Sequence, residues 1–276
     1  MRNYNLLVNL NIIAKQIRRE CLQIAFNIRP RASHLGGALS SVEIITVLFF
    51  SIMKYKQGEP TWSERDRFFL SKGHSVLGYY VILCKAGFFS SDILSTYGEN
   101  GTSLPGHPVI NKKLGIEFTN GSLGMGLSVA IGHAIAAKKR NNNYKTFVLM
   151  GDGECNEGSV WEAVIAASHF KLNNLIVIID KNGLQQTGNV DDVMNMDNMF
   201  LRFSSFGWEV IEVNGHDITE LHKSIIKDPT EKPKVIIANT IKGKGFSFTE
   251  GNNSWHHGVM TKENYLAGLK ELDEIN

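Results

Sequence analysis

The sequence predicts an α/β fold, a parallel sheet with helices on both faces, and three observations carry that expectation. Apolar, β-branched runs at residues 146–150, 175–180 and 235–240 read as buried strands. Stretches of helical periodicity alternate with them, and strands separated by helices pair in parallel. With 43% hydrophobic residues over 276 positions, the chain has the apolar content for a full core.

The amino-terminal segment, to about Lys54, is helical: Leu6, Leu10, Ile13 and Ile17 recur at three- and four-residue steps, and residues 42–53 form a second apolar helix. A loop at residues 32–37 lies between them. Residues 57–121 are rich in Gly, Pro, Ser and His and read as loop, and so much loop in a compact domain serves a site. From residue 121 the order is regular: helix 123–139, strand 146–150, helix 158–170, strand 175–180, strand 208–213, helix 218–226 and strand 235–240. No repeat, low-complexity tract or linker divides the chain, so a single domain over 1–276 is expected.

Charge excludes some partners. The 29 Lys and Arg against 27 Asp and Glu leave no excess to attract nucleic acid or an acidic membrane. Cys21, Cys84 and Cys155 are scattered, without CxxC spacing, which argues against a disulfide framework or zinc knuckle and for a reducing compartment. The start at Met1-Arg2-Asn3-Tyr4 has no charged-then-apolar leader, and no apolar run approaches the ~20 residues of a membrane span. A cytoplasmic protein is the expectation.

The strongest local signal is the run Phe147-Val148-Leu149-Met150 leading into Gly151-Asp152-Gly153, with Glu157-Gly158 opening the next helix. Glycines and acids then stand at the carboxyl end of a parallel strand, where open α/β sheets bind ligands. A phosphate suits the backbone N–H groups of such a turn, yet Asp152 repels a bare diphosphate. A hard cation such as Mg²⁺ removes the conflict, because it takes oxygen ligands from protein and phosphate together. The neighbouring strand, 175–180, runs into Lys181-Asn182-Gly183-Leu184, so the Asn182 amide oxygen and the Leu184 carbonyl are candidate ligands beside Asp152. The plain alternative for each residue is ordinary turn chemistry; two such turns, one strand-helix-strand unit apart, favour the metal. The chain has no G-x-x-x-x-G-K-[ST], and Gly121-Ser122-Leu123-Gly124-Met125-Gly126 follows a loop, so neither nucleotide fingerprint fits.

Five of the nine histidines, His34, His74, His107, His256 and His257, sit in loops beside Gly, Ser or Pro. A surface or capping role is the plain reading of any one of them. As a set they suit a polar pocket for hydroxyl and carbonyl groups, where neutral imidazoles donate, accept and move protons. Zinc is a rival for the set, but no pair has the spacing of a metalloprotease motif and the cysteines do not join in.

These residues carry a family resemblance. Ser33-His34-Leu35-Gly36-Gly37, the run from Asp66 to His74, Pro105-Gly106-His107-Pro108, Gly121-Ser122-Leu123-Gly124, Gly151-Asp152-Gly153 and Trp255-His256-His257-Gly258 occur in one order. In this the chain resembles the amino-terminal, diphosphate-binding half of transketolase, above all the separate amino-terminal subunit of split bacterial transketolases. The resemblance implies a thiamine-diphosphate-binding fold, with the cofactor held through Mg²⁺ by Asp152, Asn182 and the Leu184 carbonyl. It implies that His74, Gly121, Leu123, Gly153 and Lys242 line the cofactor, and that Glu157 lies beside it toward a subunit interface. His34, His107 and His257 match positions facing the sugars or the diphosphate, and with His74 they form the implied catalytic set. Relatives have one histidine before the glycine, so His256 and His257 compete for that position; His257 is chosen.

The implied reaction moves a two-carbon ketol unit from a ketose phosphate to an aldose phosphate. Complete transketolases continue past the point matched by Asn276, through a pyrimidine-binding domain whose glutamate activates the cofactor ring. The resemblance therefore implies a second chain carrying that domain, a dimer of heterodimers, and inactivity of this chain alone. Val109 and Met125 depart from the family pattern, which touches the sugar assignment and not the metal ligands. The same metal site would serve the α subunit of a 2-oxo acid dehydrogenase, a deoxyxylulose-phosphate synthase or a non-catalytic paralogue. The first of these lacks most of this histidine set, and the second is normally a longer single chain.

Overall fold

A computed structural model describes residues 2–227 and 230–274, with side chains from Leu7 onward. The side chain of Leu6, and the outer limits of the expected domain at Met1 and Asn276, lie outside the described residues. Among the described residues five strands form one sheet: β1 (Arg67–Leu70), β2 (Thr146–Gly151), β3 (Leu175–Lys181), β4 (Glu209–Asn214) and β5 (Lys234–Asn239). Their order is β1-β2-β3-β5-β4, and every pairing is parallel.

Strand alternation explains the layers. Successive side chains point to opposite faces, so Ile176 and Ile178 join Phe147, Leu149 and Ile236 in one apolar cluster. Val177 and Ile179 join Val148, Met150 and Ile237 in the other. A central strand needs apolar residues at every position when both faces are covered, and residues 175–180 are all buried.

Among the described residues eleven helices surround the sheet: α1 (Arg2–Asn27), α2 (Leu35–Ser40), α3 (Val42–Val47), α4 (Val76–Lys85), α5 (Ser91–Ser95), α6 (Met125–Lys139), α7 (Gly158–His169), α8 (Val190–Met194), α9 (Met199–Ser205), α10 (Ile218–Ile226) and α11 (Lys262–Glu274). The first face lies under α1, α3, α4 and α10, with Leu22, Ile45, Tyr80 and Leu221 in its cluster. The second lies under α6, α7 and α9, with Leu127, Val164 and Phe203 in its cluster.

The structure departs from the expected elements in the stretch 57–121. It holds β1 and α4, which periodicity missed for different reasons. β1 has only Phe68-Phe69-Leu70 between charged and loop residues, too short for a pattern. α4 is buried along residues 76–83, so no polar face marks a helical period. The second apolar helix is α3 followed by a π-helical turn at Leu48–Ile52. α6 begins at Met125 rather than 123 because Gly124, at φ 79°, holds a left-handed conformation that interrupts a helix. The strand expected at 208–213 and the last strand each shift by one residue, and α10 has the expected bounds.

The parallel sheet brings four strand ends to one edge. Gly151 of β2 stands level with Asp180 of β3, and Asp180 level with Ala238 of β5. The loops that follow β1, β2, β3 and β5 therefore share one crevice, as open parallel sheets dictate.

The central position of β3 gives a stability test. Ile178→Ala removes a fully buried side chain and is expected to cost about 2–5 kcal/mol. Ile226→Ala, at a residue 51% exposed, is expected to change stability by less than about 0.5 kcal/mol. Urea denaturation of both variants checks the contrast.

Candidate functional site

The floor of the crevice is a buried ion pair. Lys72, just past β1, contacts the Asp180 carboxylate at the end of β3, and their side chains are 1% and 0% exposed. Burial pushes the Asp180 carboxyl up, but Lys72 and the surrounding hydrogen bonds outweigh it and hold the group below its ordinary range. Ser40 Oγ donates to the same carboxylate at 2.6 Å, Asn182 Nδ2 donates at 3.2 Å and Thr240 Oγ1 also donates. Lys72 Nζ donates onward to the Gly37 carbonyl at 3.0 Å. One carboxylate thus ties together β1, β3, β5 and α2.

A second buried carboxylate sets the loops after β1 and β2. Glu154 accepts from the N–H of Gly124 at 2.9 Å, from the N–H of Gly151 at 3.1 Å and from the Ser71 hydroxyl. It fixes the turn after β2 against the start of α6. At Gly124 a Cβ would lie 2.6 Å from Cβ of Glu157, so the close approach of α6 to Glu157 also requires glycine.

Asp152 stands in this turn, 4% exposed. Its carboxylate accepts the N–H of Gly153 at 2.9 Å and the N–H of Gly183 at 2.6 Å. Burial is the largest influence and raises its carboxyl to about 6, against those N–H groups. Asn182 Oδ1 accepts the N–H of Leu184 at 3.1 Å, so the expected ligands Asp152, Asn182 and Leu184 lie on two facing loops joined by the Asp152–Gly183 bond. Among the described residues no group of three or more His, Cys, Asp or Glu is placed to hold a metal ion. The expected set has one carboxylate, one amide and one carbonyl, so it depends on ligand phosphate oxygens to complete a cation's shell.

Those loops border a cavity of about 440 Å³ that also reaches Lys72, Lys242 and the histidines. Gly121, Leu123, Gly153, Glu157, Asn182 and Leu184 all line it, as do Asp152, His34, His74 and His107. A Cβ built on Gly121 meets no protein atom within 4 Å; that glycine faces open cavity. Asn156 Oδ1 and Gln185 Nε2 are buried in the wall without a hydrogen-bond partner. A buried carboxylate short of positive charge, together with orphaned polar atoms in the wall, fits a polar ligand that brings its own cation.

Lys242 reaches the cavity from the loop after β5 and is 2% exposed. Its Nζ donates to the Gln185 carbonyl and Asn253 Oδ1, both at 3.0 Å, and lies 3.2 Å from His256 Nδ1. Burial, then repulsion from Lys72, lowers its ammonium to about 8.

The five loop histidines converge. His34 is central, with ring centroids 5.9 Å from His74, 5.3 Å from His107, 5.5 Å from His256 and 4.4 Å from His257. A two-bond bridge between Ser33 and Gly258 sets the first and last of these loops side by side. Burial above all, then the neighbouring histidines, lowers His34 to about 3; burial, then Lys242, lowers His256 to about 4. Burial also lowers His74 and His107. These four imidazoles are neutral at physiological pH. His256 lines the cavity and stacks on His74 at 5.2 Å, whereas His257 lies on the outer side against His34. Both candidates for the family position belong to the cluster.

Residue-level reading missed Lys72, Asp180 and Glu154 as site-building groups. Lys72 follows a short apolar strand and Asp180 ends an apolar run, and a charge in that place is the one available signal; the partner of each is a tertiary fact.

Two expectations follow from these charges. Lys72→Met leaves the buried Asp180 carboxyl without its counterion, and a loss of about 3–5 kcal/mol is expected in urea unfolding, with partial recovery in Lys72→Met/Asp180→Asn. In chelator, the Asp152 carboxyl is expected to titrate near 6 by carbon-13 NMR. Because the folded value is raised, ionisation costs stability as pH rises from about 4 toward that midpoint. Mg²⁺ with a diphosphate is expected to drive the midpoint down, since a cation favours the charged form; an unchanged midpoint would remove Asp152 from the ligand set.

Comparison with known proteins places this geometry. A family model described as "Transketolase, thiamine diphosphate binding domain" matches residues 13–272. An apulose-4-phosphate transketolase subunit from Phocaeicola vulgatus is 43% identical over 267 residues, which is 96% of this chain and 94% of that protein. The protein of the same name from Actinobacillus succinogenes is 44% identical over 276 residues, 99% of this chain and 100% of the relative. Among solved structures, transketolase from Leishmania mexicana superposes with a TM-score of 0.87 at 28% identity, covering 96% of this chain and 41% of that one. Transketolase from Campylobacter jejuni gives 0.87 at 30% identity, covering 98% and 43%. The chain thus spans about four-tenths of those two transketolases. No helix among the described residues is long and apolar enough to cross a membrane. The chain belongs to the transketolase family, as its amino-terminal, thiamine diphosphate binding domain.

Proposed function

We propose that this chain is the amino-terminal subunit of a split transketolase. In this reading it is a single pyrophosphate-binding domain over 1–276 that holds thiamine diphosphate through Mg²⁺. A separate chain supplies the pyrimidine-binding domain, and two copies of each assemble in the cytoplasm as a heterotetramer. The product is a transferase that moves a two-carbon ketol unit from a ketose phosphate to an aldose phosphate. The observation that carries this reading is the meeting, in one cavity, of the Asp152–Asn182 loops with four neutral histidines.

Asp152, the Asn182 amide and the Leu184 carbonyl hold the cation, and Gly121, Leu123, Gly153, Glu157 and Lys242 line the cofactor. Lys242 Nζ, among acceptor oxygens, adds positive charge on the diphosphate side. When bound, the cofactor supplies the nucleophilic carbon and the electron sink for carbon–carbon cleavage. The protein's share is position and proton handling. The imidazoles of His34, His74, His107 and His257 or His256 donate to and accept from sugar hydroxyls, and pass protons at the reacting carbonyl.

The names of the two relatives extend the donors worth testing from pentose phosphates such as xylulose 5-phosphate to apulose 4-phosphate. Co-expression with a chain carrying the pyrimidine-binding domain is expected to give Mg²⁺- and thiamine-diphosphate-dependent ketol transfer to ribose 5-phosphate or another aldose phosphate. This chain alone is expected to be inactive, and Asp152→Ala to lower transfer at least about 100-fold. Turnover of pyruvate in place of ketose phosphates would instead assign a 2-oxo acid dehydrogenase or deoxyxylulose-phosphate synthase chemistry.

A further inference from the structure

Away from the cavity, three residues distant in sequence, two of them buried and one partly so, form a polar chain that ends on the loop bearing Lys242. Arg18 of α1 meets Glu43 of α3 twice, Nη1 to Oε1 at 2.6 Å and Nη2 to Oε2 at 2.8 Å, with side chains 8% and 10% exposed. His216, between β4 and α10, places Nδ1 3.0 Å from Glu43 Oε2. Its other nitrogen, Nε2, accepts the N–H of Ile241 at 2.8 Å. Arg18 Nε donates to the Lys244 carbonyl at 2.9 Å. The loop is therefore gripped on both sides of Lys242.

Donor and acceptor chemistry fixes the state of the histidine. A backbone N–H only donates, so Nε2 carries no proton; a carboxylate only accepts, so Nδ1 carries it. Glu43 is ionised: burial pushes its carboxyl up, but Arg18 and the His216 hydrogen bond outweigh this and hold it at about 2. Glu43 thus selects the tautomer that leaves a bare nitrogen facing Ile241. The second grip needs close passage as well. Gly245 has φ 113°, and a Cβ there would lie 2.6 Å from Cδ and Nε of Arg18.

None of Arg18, Glu43 and His216 lines the cavity, whereas Lys242 does. We infer that Arg18, Glu43 and His216 form a positioning relay for Lys242, in which the tautomer of His216 sets how that ammonium group meets the cofactor's diphosphate. The inference rests on the cofactor reading proposed above. It makes His216 a positioning residue that acts on cofactor affinity through the backbone of Ile241.

The test uses the co-expressed complex and measures the Kd of Mg²⁺-thiamine diphosphate by intrinsic fluorescence, with kcat at saturating cofactor. His216→Asn keeps a donor near Glu43 but has no acceptor reaching Ile241; His216→Gln reaches Ile241 with its amide oxygen. Asn is expected to weaken cofactor binding about 10-fold, the loss of one hydrogen bond's ~1.4 kcal/mol, and to affect Kd more than kcat. Gln is expected to stay within about 3-fold of the parent, which also guards against a variant that fails to fold. In a Lys242→Met background, His216→Asn is expected to add little, because residues acting through one group are not additive. Equal Kd values for Asn and the parent, equal weakening by Asn and Gln, or full additivity with Lys242→Met would each overturn the relay. Asp152→Ala separates the two readings: if it binds cofactor as the parent does, the cofactor assignment fails; if it alone loses binding, only the relay fails.

Discussion

The ion pair between Lys72 and Asp180 is the constraint on which the crevice depends. Buried ion pairs contribute little net stability over a well-packed apolar pair, yet breaking one leaves a costly unpaired charge. Its value here is geometric. Asp180 is level with Gly151 and Ala238 across the sheet, and its bonds reach Ser40, Thr240 and Asn182. Any arrangement that separates the ends of β1, β3 and β5 exposes that charge to an apolar interior. Because the Asp180 carboxyl is held below its ordinary value, the stabilisation is present above the usual carboxylate range and is lost as pH falls through the folded value.

Above that floor, burial and mutual repulsion work in one direction. Protonating His74 or His256 places a cation near other imidazoles and two ammonium groups, Lys72 and Lys242. His34, His74, His107 and His256 therefore supply many hydrogen-bonding atoms without adding charge. Positive charge is left to Lys72 and Lys242 and to the cation that Asp152 would hold. The combination of fixed ammonium charge and neutral hydrogen-bonding rings suits a ligand that is both anionic and rich in hydroxyl groups.

Much of the fold was legible in the sequence because the central strands are long β-branched runs whose neighbours are helical. β1 and α4 were illegible for lack of contrast, the one too short and the other too uniformly apolar. Within the site, Asp152 and Asn182 stood out because Gly-Asp and Asn-Gly turns follow buried strands, and all expected cofactor-side residues except His257 lie in the cavity wall. What could not be read was pairing: nothing in spacing joins Ser71 to Glu154, or Glu43 to His216 across more than 170 positions. The adjacent His256 and His257 share the same motif and differ only in where a short helical turn aims them.

The triple grip of Glu154 on Ser71, Gly124 and Gly151 has a consequence for how such a protein can diversify. Three loops that share one buried carboxylate cannot drift separately, since a shift in any of them strands a donor or the charge itself. Inheritance of the floor is therefore all or nothing. The rim is under no such bond: Gln186 and Thr187 line the cavity and are exposed at the surface. A lineage built on this scaffold is free to exchange rim residues and change what it recognises there while the buried carboxylate and its loops stay unchanged.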